Sequence, residues 1–286
     1  MKKHFITLIF LSLFSHCEIK EHQGLLATLF VQSSAEFYTN SVSVFKAAEY
    51  QLESAVKDAS YSAAIEQTKD FSGKPPAVIL DVDQTVLDNI PFQARKIMDR
   101  TFYPDGWDEW CMEEQATYIP GAEDFLAKAA ELGVEVFFVT NRTANLEEAT
   151  KNNLEKLGFK FAKNLDQLLM RYEKEEWGSN KDTRRLHVAK DYRIVMMIGD
   201  NLGDFVDDEE NSSSLDIRMA AAEKHYDMWG KYWFMLANPT YGDWESALID
   251  FKYEIPKSEQ LQIKSQALDV KSVSYTHLTL PTILRV

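Results

Sequence analysis

The sequence predicts an α/β protein built on a doubly wound parallel sheet. Short apolar runs at residues 77–80 (AVIL), 134–139 (VEVFFV), 194–198 (IVMMI) and 232–236 (YWFML) have the length and continuous apolar character of strands buried on both faces. Amphipathic segments of helical length separate them, and strands that alternate with helices pair in parallel. The first three runs each end in a polar cluster. In an open parallel sheet, ligands bind outside the carboxyl ends of the strands, so these clusters are expected to converge.

The elements follow in order. Residues 34–70 read as helical, because Phe45, Ala48, Leu52 and Ala55 recur at helical spacing with Glu, Lys and Gln on the other face. Ser72-Gly73-Lys74-Pro75-Pro76 breaks any helix and marks a boundary before the first strand. Pro120-Gly121 opens a helix whose first turn holds Glu123 and Asp124, where the helix dipole favours acids; it stops at Gly133. The second strand follows at once, then a helix from about Ala144 to Gly158. A helical segment over 179–190 precedes the third strand. Residues 257–271 are polar and helix-compatible.

The two ends differ from the middle. Met1-Lys2-Lys3-His4 and the apolar stretch 5–14 (FITLIFLSLF) have the form of an export signal, too short to span a bilayer as a helix. Cys17 follows, so residues 1–17 resemble a bacterial lipoprotein signal in which Cys17 becomes the lipidated first residue, although His16 stands where a small residue is usual. The expected location is the outer membrane as a lipoprotein, or the periplasm or cell surface. Residues 272–286 (SVSYTHLTLPTILRV) are β-branched and nearly uncharged, and they resemble a non-native tail.

Composition narrows the function. With 31 Lys+Arg against 45 Asp+Glu, the net charge is −14 and the pI is near 4.9. A nucleic-acid polymer is excluded as partner, since phosphate contacts need clustered basic residues. Only Cys17 and Cys111 are cysteines, and the six histidines form no ligand spacing. Metal chemistry therefore rests on carboxylates, which select hard cations such as Mg2+.

Carboxylates are what the strand ends supply. Residues 81–85 (DVDQT), 140–142 (TNR) and 199–204 (GDNLGD) follow the first three strands, bringing Asp81, Asp83, Asp200 and Asp204 towards one spot. Like charges that close repel or force protonation, and a divalent cation removes the conflict. A single Asp after a strand is usually a cap or turn residue, and Asp88 is read that way. The ordered combination is not.

DVDQTVLDN at 81–89, VTNR at 139–142, Lys181 and GDNLGDF at 199–205 resemble the four motifs of the haloacid-dehalogenase (HAD) superfamily of phosphohydrolases. Trp110, ten residues before Pro120-Gly121-Ala122, and FMLANPTYGDWE at 234–245 narrow the resemblance to the class C acid phosphatases, the bacterial lipoprotein 5′-nucleotidase family. Gln84 stands where the family commonly has Glu, and Gly203 where a second Asp often sits. The resemblance implies a HAD-like core over 74–255, with a smaller helical cap built from the N-terminal segment 34–72 and an insert at about 90–119.

It also implies the chemistry. Asp81 is the expected nucleophile, forming an aspartyl-phosphate, and Asp83 the acid and then base for leaving group and water. Mg2+ is expected on the Asp81 side chain, the Asp83 backbone carbonyl and Asp200. Lys181 neutralises phosphoryl charge, Thr140 binds transferring oxygens, Asn141 contacts substrate, and Asp204 orients Lys181 or a metal-bound water from behind. Trp110 and Tyr241 are candidates to stack on a nucleobase or nicotinamide ring. The implied activity is hydrolysis of phosphomonoesters, among them nucleoside 5′-monophosphates and nicotinamide mononucleotide. A phosphotransferase and a non-catalytic storage or binding protein are the alternatives. The implied partners are a small-molecule phosphomonoester and, through the lipid anchor, a membrane, with a second copy of the chain as a further candidate.

Overall fold

The computed structural model describes residues 23–271. Cys17, the export signal and the tail at 272–286 lie outside the described residues. The described residues open with two helices, α1 (Leu25–Ser33) and α2 (Ala35–Lys57), separated by Ser34, whose hydroxyl caps α2 by accepting the Phe37 N–H at 3.0 Å. Helix α2 buries Phe45, Ala48, Leu52 and Ala55, the stripe read from the sequence.

The helix expected over 34–70 ends at Lys57. Beyond it, tertiary contacts win over helix propensity. Ala63 N–H donates to Ile194 O at 2.7 Å and the Tyr61 hydroxyl to Val195 O at 2.9 Å. The Gln67 amide reaches Ala189 O and Tyr192 O. Residues 58–72 are thereby laid along the sheet as an irregular strap.

The remaining elements are β1 (Pro76–Leu80), β2 (Leu87–Asp88), α3 (Ile90–Asp99), α4 (Trp107–Met112), β3 (Thr117–Tyr118), α5 (Ala122–Glu131), β4 (Glu135–Thr143), α6 (Glu147–Lys156), β5 (Leu168–Arg171), α7 (Asp182–Ala189), β6 (Arg193–Gly199), α8 (Asp208–Asn211), α9 (Leu215–Lys224), β7 (Trp233–Met235), α10 (Asp243–Ala247) and α11 (Lys257–Gln266). The main sheet runs β5-β4-β1-β6-β7, with every pairing parallel. Its faces alternate along β1 and β4. Val78, Leu80, Val136 and Phe138 point into one core with α2 and α5, while Ala77, Ile79, Phe137 and Val139 point into the other with α7.

From β1 the chain moves to β4 and β5 on one side, then returns to β6 and β7 on the other. The order reverses at β1, which makes the carboxyl ends of β4, β1 and β6 the crevice of the sheet. Strand β4 continues to Thr143, past the expected end at 139, and its pairing with β5 shifts register between Val139 and Thr143. Thr140 and Asn141 thus lie on an irregular strand end rather than in a loop. Strand β5 was not read from the sequence, because four residues show no period.

The insert between β1 and α5 carries α3, α4 and the antiparallel pair β2–β3, and α1 packs against α3. Gly121 (φ +93°) starts α5 against α2. A Cβ there would sit 2.9 Å from Phe45 Cβ and 3.3 Å from the Val42 Cα. Gly121→Ala combines left-handed strain with a rigid clash and is expected to cost about 2–4 kcal/mol. Urea unfolding should show a lower midpoint at unchanged slope.

Candidate active site

Strand β1 delivers Asp81 directly at its end, and the Asp81 N–H donates to Ile198 O of β6 at 3.0 Å. The chain then turns tightly. Leu87 N–H returns to Val82 O at 2.8 Å, and Gln84 adopts φ +61°. The Gln84 side chain holds the turn from both ends: its amide donates to Asp88 Oδ1 at 3.1 Å and its carbonyl accepts the Asn89 N–H at 3.1 Å. Asp88 also accepts the Ile90 N–H at 2.9 Å, the structural role read for it.

Strand β6 delivers Asp200, and the 3-10 turn that follows delivers Asp204. Asp204 Oδ2 accepts the Asn201 N–H at 2.9 Å. Glycines make room: a Cβ on Gly199 would lie 2.1 Å from Asp204 Oδ2, and one on Gly203 would lie 2.6 Å from Asn211 Nδ2. Asn211 fills the space that a side chain at 203 would need, where the resembled family often has a second Asp. Asp200 is held by Asn238 Nδ2 at 2.8 Å and faces the Thr85 hydroxyl at 3.4 Å.

Oxygens of Asp81, Asp200 and Asp204 all lie within 4.8 Å of one another. Lys181, just before α7 and 5% exposed, bridges two of them, donating to Asp204 Oδ1 at 2.6 Å and to Asp81 Oδ1. Its neighbours do other work. The Lys174 ammonium lies 3.9 Å over the Trp177 ring. Arg184 is buried and donates to Thr140 O and Asn141 Oδ1. Asn141 is exposed, and its carbonyl oxygen is taken by Arg184, which leaves its amide N–H groups for a ligand.

Asp83 points away from the triad, towards the cap. Its Oδ1 accepts from Arg142 Nε at 2.9 Å and Asn89 Nδ2 at 2.7 Å; its Oδ2 faces the Thr140 hydroxyl at 3.4 Å. Of the two aromatic candidates, Tyr241 feels the charges of the acids themselves. Its hydroxyl is buried with no partner among the described residues. Burial pushes it well above the ordinary phenol value, and the charges of Asp200, Asp83 and Asp81 add to this. Trp110, expected to stack on substrate, is 3% exposed in the cap core, and its indole N–H donates to Asn89 Oδ1 at 2.8 Å. Its ring has no free face for a ligand.

The electrostatics state what is missing. Burial pushes the Asp81 carboxyl up to about 7; Lys181 opposes the rise, while Asp204 and Asp83 add to it. Burial and the charges of Asp81 and Asp204 likewise raise Asp200 well above the ordinary range. Lys181 is held above its ordinary value because Asp204 and Asp81 outweigh the effect of burial. One ammonium does not balance three carboxylates. An all-oxygen donor set with this excess of negative charge fits a hard divalent cation.

A family model described as "HAD superfamily, subfamily IIIB (Acid phosphatase)" matches residues 14–244. The chain belongs to that family. Among solved structures, this subfamily IIIB chain is similar to the class C acid phosphatase from Bacillus anthracis, at 30% identity and TM-score 0.75, over 87% of this chain and 98% of the other. The same Bacillus anthracis enzyme with tungstate bound matches at TM-score 0.76, also at 30% identity and with the same coverage of both chains. A stem 28 kDa glycoprotein of Glycine max is 25% identical over 134 residues, 45% of this chain and 52% of that protein. The chain spans about half the length of the curated relatives it matches.

Sequence reasoning assigned no role to Arg142, Arg184, Asn89 or Asn238. The first and third lie within the motif segments VTNR and DVDQTVLDN, but nothing local says what a side chain there will hold.

The raised carboxyls make stability depend on pH in a definite direction. Between 3.8 and about 7 the metal-free native state holds a proton on Asp81 that the unfolded chain has released, and Asp200 is shifted in the same direction. Their contribution to stability therefore falls as pH rises through that window. Calorimetry should show Mg2+ raising Tm more at pH 7.5 than at pH 5, because the cation relieves a repulsion that protons already relieve at the lower pH.

Proposed function

We propose that the chain is an exported, Mg2+-dependent acid phosphatase that hydrolyses phosphomonoesters through an aspartyl-phosphate on Asp81, with nucleoside 5′-monophosphates and nicotinamide mononucleotide among its substrates. The observation that carries the reading is the single buried ammonium of Lys181 shared by Asp81 and Asp204, with Asp83 two residues from the nucleophile. Tungstate is a tetrahedral oxyanion of phosphate's shape. Its binding to a protein so similar supports a phosphoryl site here.

The Asp81 and Asp200 side chains and the Asp83 carbonyl would hold the cation, which when bound supplies positive charge against the phosphoryl oxygens. Lys181 contributes a fixed charge at the same place, and Asp204 keeps it there. Asp81 attacks phosphorus and the ester oxygen leaves. An alkoxide is a poor leaving group, so a proton from Asp83 is needed as the bond breaks; Oδ2 is the oxygen free to give it, since Oδ1 already has two donors. Asp83 then takes a proton from the water that opens the acyl phosphate. A dehalogenase expels halide, which needs no proton, so the second Asp favours phosphate chemistry. The unpaired Tyr241 hydroxyl is a donor suited to a substrate oxygen.

The long-range field of a −14 chain does not attract phosphate esters, so capture depends on local cations. Export rests on the signal-like residues 1–17 and anchoring on Cys17. No helix among the described residues is long and apolar enough to cross a membrane. Labelling with a radioactive fatty acid, compared between the native chain and Cys17→Ala, tests the anchor.

Asp81→Asn should lose about four orders of magnitude or more in turnover while the melting curve stays cooperative; near-normal hydrolysis would refute the nucleophile. Asp83→Asn should lower kcat/KM for alkyl phosphates by about 10²–10³ and for 4-nitrophenyl phosphate far less. Equal losses on both would refute the acid. Chelation should abolish hydrolysis and Mg2+ restore it. Assaying with an added alcohol distinguishes transfer from hydrolysis.

A further inference from the structure

Asp83 needs more than a location. Its carboxylate has to present one oxygen to the ester bond while the other stays out of the reaction, and a side chain with two free dihedrals does not do that unaided. The structure supplies a clamp. Arg142, on β4 and 2% exposed, donates from Nε to Asp83 Oδ1 at 2.9 Å, and its Nη2 makes an ion pair with the same oxygen at 2.9 Å. The same guanidinium reaches Asn89 Oδ1 at 3.3 Å and Thr150 Oγ1 of α6 at 3.1 Å, and its plane lies 5.4 Å from the Trp107 ring of α4. Asn89 closes the loop, giving its amide to Asp83 Oδ1 at 2.7 Å and receiving the Trp110 indole N–H on its own oxygen at 2.8 Å.

We propose that Arg142 is a positioning residue for the acid/base Asp83, and that Trp110, through Asn89, extends this clamp into the cap. The inference rests on the phosphatase reading above and deepens it. Two N–H groups, from Arg142 Nε and the Asn89 amide, occupy Oδ1, which pins the carboxylate plane and leaves Oδ2, opposite the Thr140 hydroxyl, as the oxygen directed at the leaving group. Trp110 is then a specificity residue of neither base nor ring. It acts by fixing which way the Asn89 amide faces, since an indole donates and cannot accept.

Arg142→Met, Arg142→Lys and Trp110→Phe test this against Asp83→Asn. The substrates are glycerol phosphate, a nucleoside 5′-monophosphate and 4-nitrophenyl phosphate. The ratio kcat/KM is the readout, because it reports phosphoryl transfer to Asp81 and not the later hydrolysis. Misplacing a catalytic group by about 1 Å costs on the order of 10²-fold. Arg142→Met should therefore lower both alkyl esters by about 10–100-fold and the aryl ester by no more than about threefold. Arg142→Lys, which keeps one of the bonds, should recover part of the loss. In an Asp83→Asn background, Arg142→Met should add little, as expected of residues acting through one another. Trp110→Phe keeps a ring and removes only the N–H, and should give a smaller loss of the same pattern.

Equal losses on all three substrates, or none, would overturn the proposal. A Trp110→Phe loss confined to the nucleotide would restore Trp110 as a stacking residue and overturn its place in the clamp. If Arg142→Met does not fold, the lysine and phenylalanine variants decide on the same criterion. Should Asp81→Asn remain active, the phosphatase reading itself falls. With Asp81→Asn dead and no leaving-group split in the Arg142 variants, only the positioning claim falls.

Discussion

The structure is organised around crowded negative charge at one sheet edge. Asp81, Asp200 and Asp204 are driven together because β1 and β6 are neighbours and both end in carboxylates. That arrangement is unfavourable by itself, as the raised carboxyls of Asp81 and Asp200 show. Lys181 relieves part of it from the start of α7, and its position fixes where further positive charge is wanted. Much of the surrounding geometry serves to keep these groups from moving apart: Asn238 on Asp200, the Asn201 N–H on Asp204, and Gly199 and Gly203 giving the turn space. An excess of negative charge held rigidly is what a site for a hard cation requires.

The parallel sheet was legible because continuous apolar runs such as 194–198 admit few readings other than a strand covered on both faces. Asp81 and Asp200 were legible for a related reason, since a charge following such a run must sit at the sheet edge. Strand β5 was not, because Leu168–Arg171 is too short to show periodicity. The strap at 58–72 escaped because its conformation is set by bonds to β6 and not by its own residues. Lys181 stood out only by its place in the motif order; Arg184, three residues on, is as deeply buried and holds Thr140 instead.

Trp110 shows how far residue type can mislead. An aromatic ring in a segment near the sheet's carboxyl edge suggests stacking, yet this ring is buried in the cap core and its N–H is given to Asn89. The distinction is invisible until a partner is known, because the same side chain offers a large apolar face and a single polar atom. Tyr241 is the reverse case: its hydroxyl, not its ring, is left without a partner beside the acids.

The turn after β1 hangs on a single amide. Gln84 serves two masters, accepting from the Asn89 backbone and donating to Asp88. A glutamate could keep the first bond but would confront Asp88 with a second anion. Gln84→Glu should therefore loosen the turn beside Asp88, whereas the amide satisfies both partners at once.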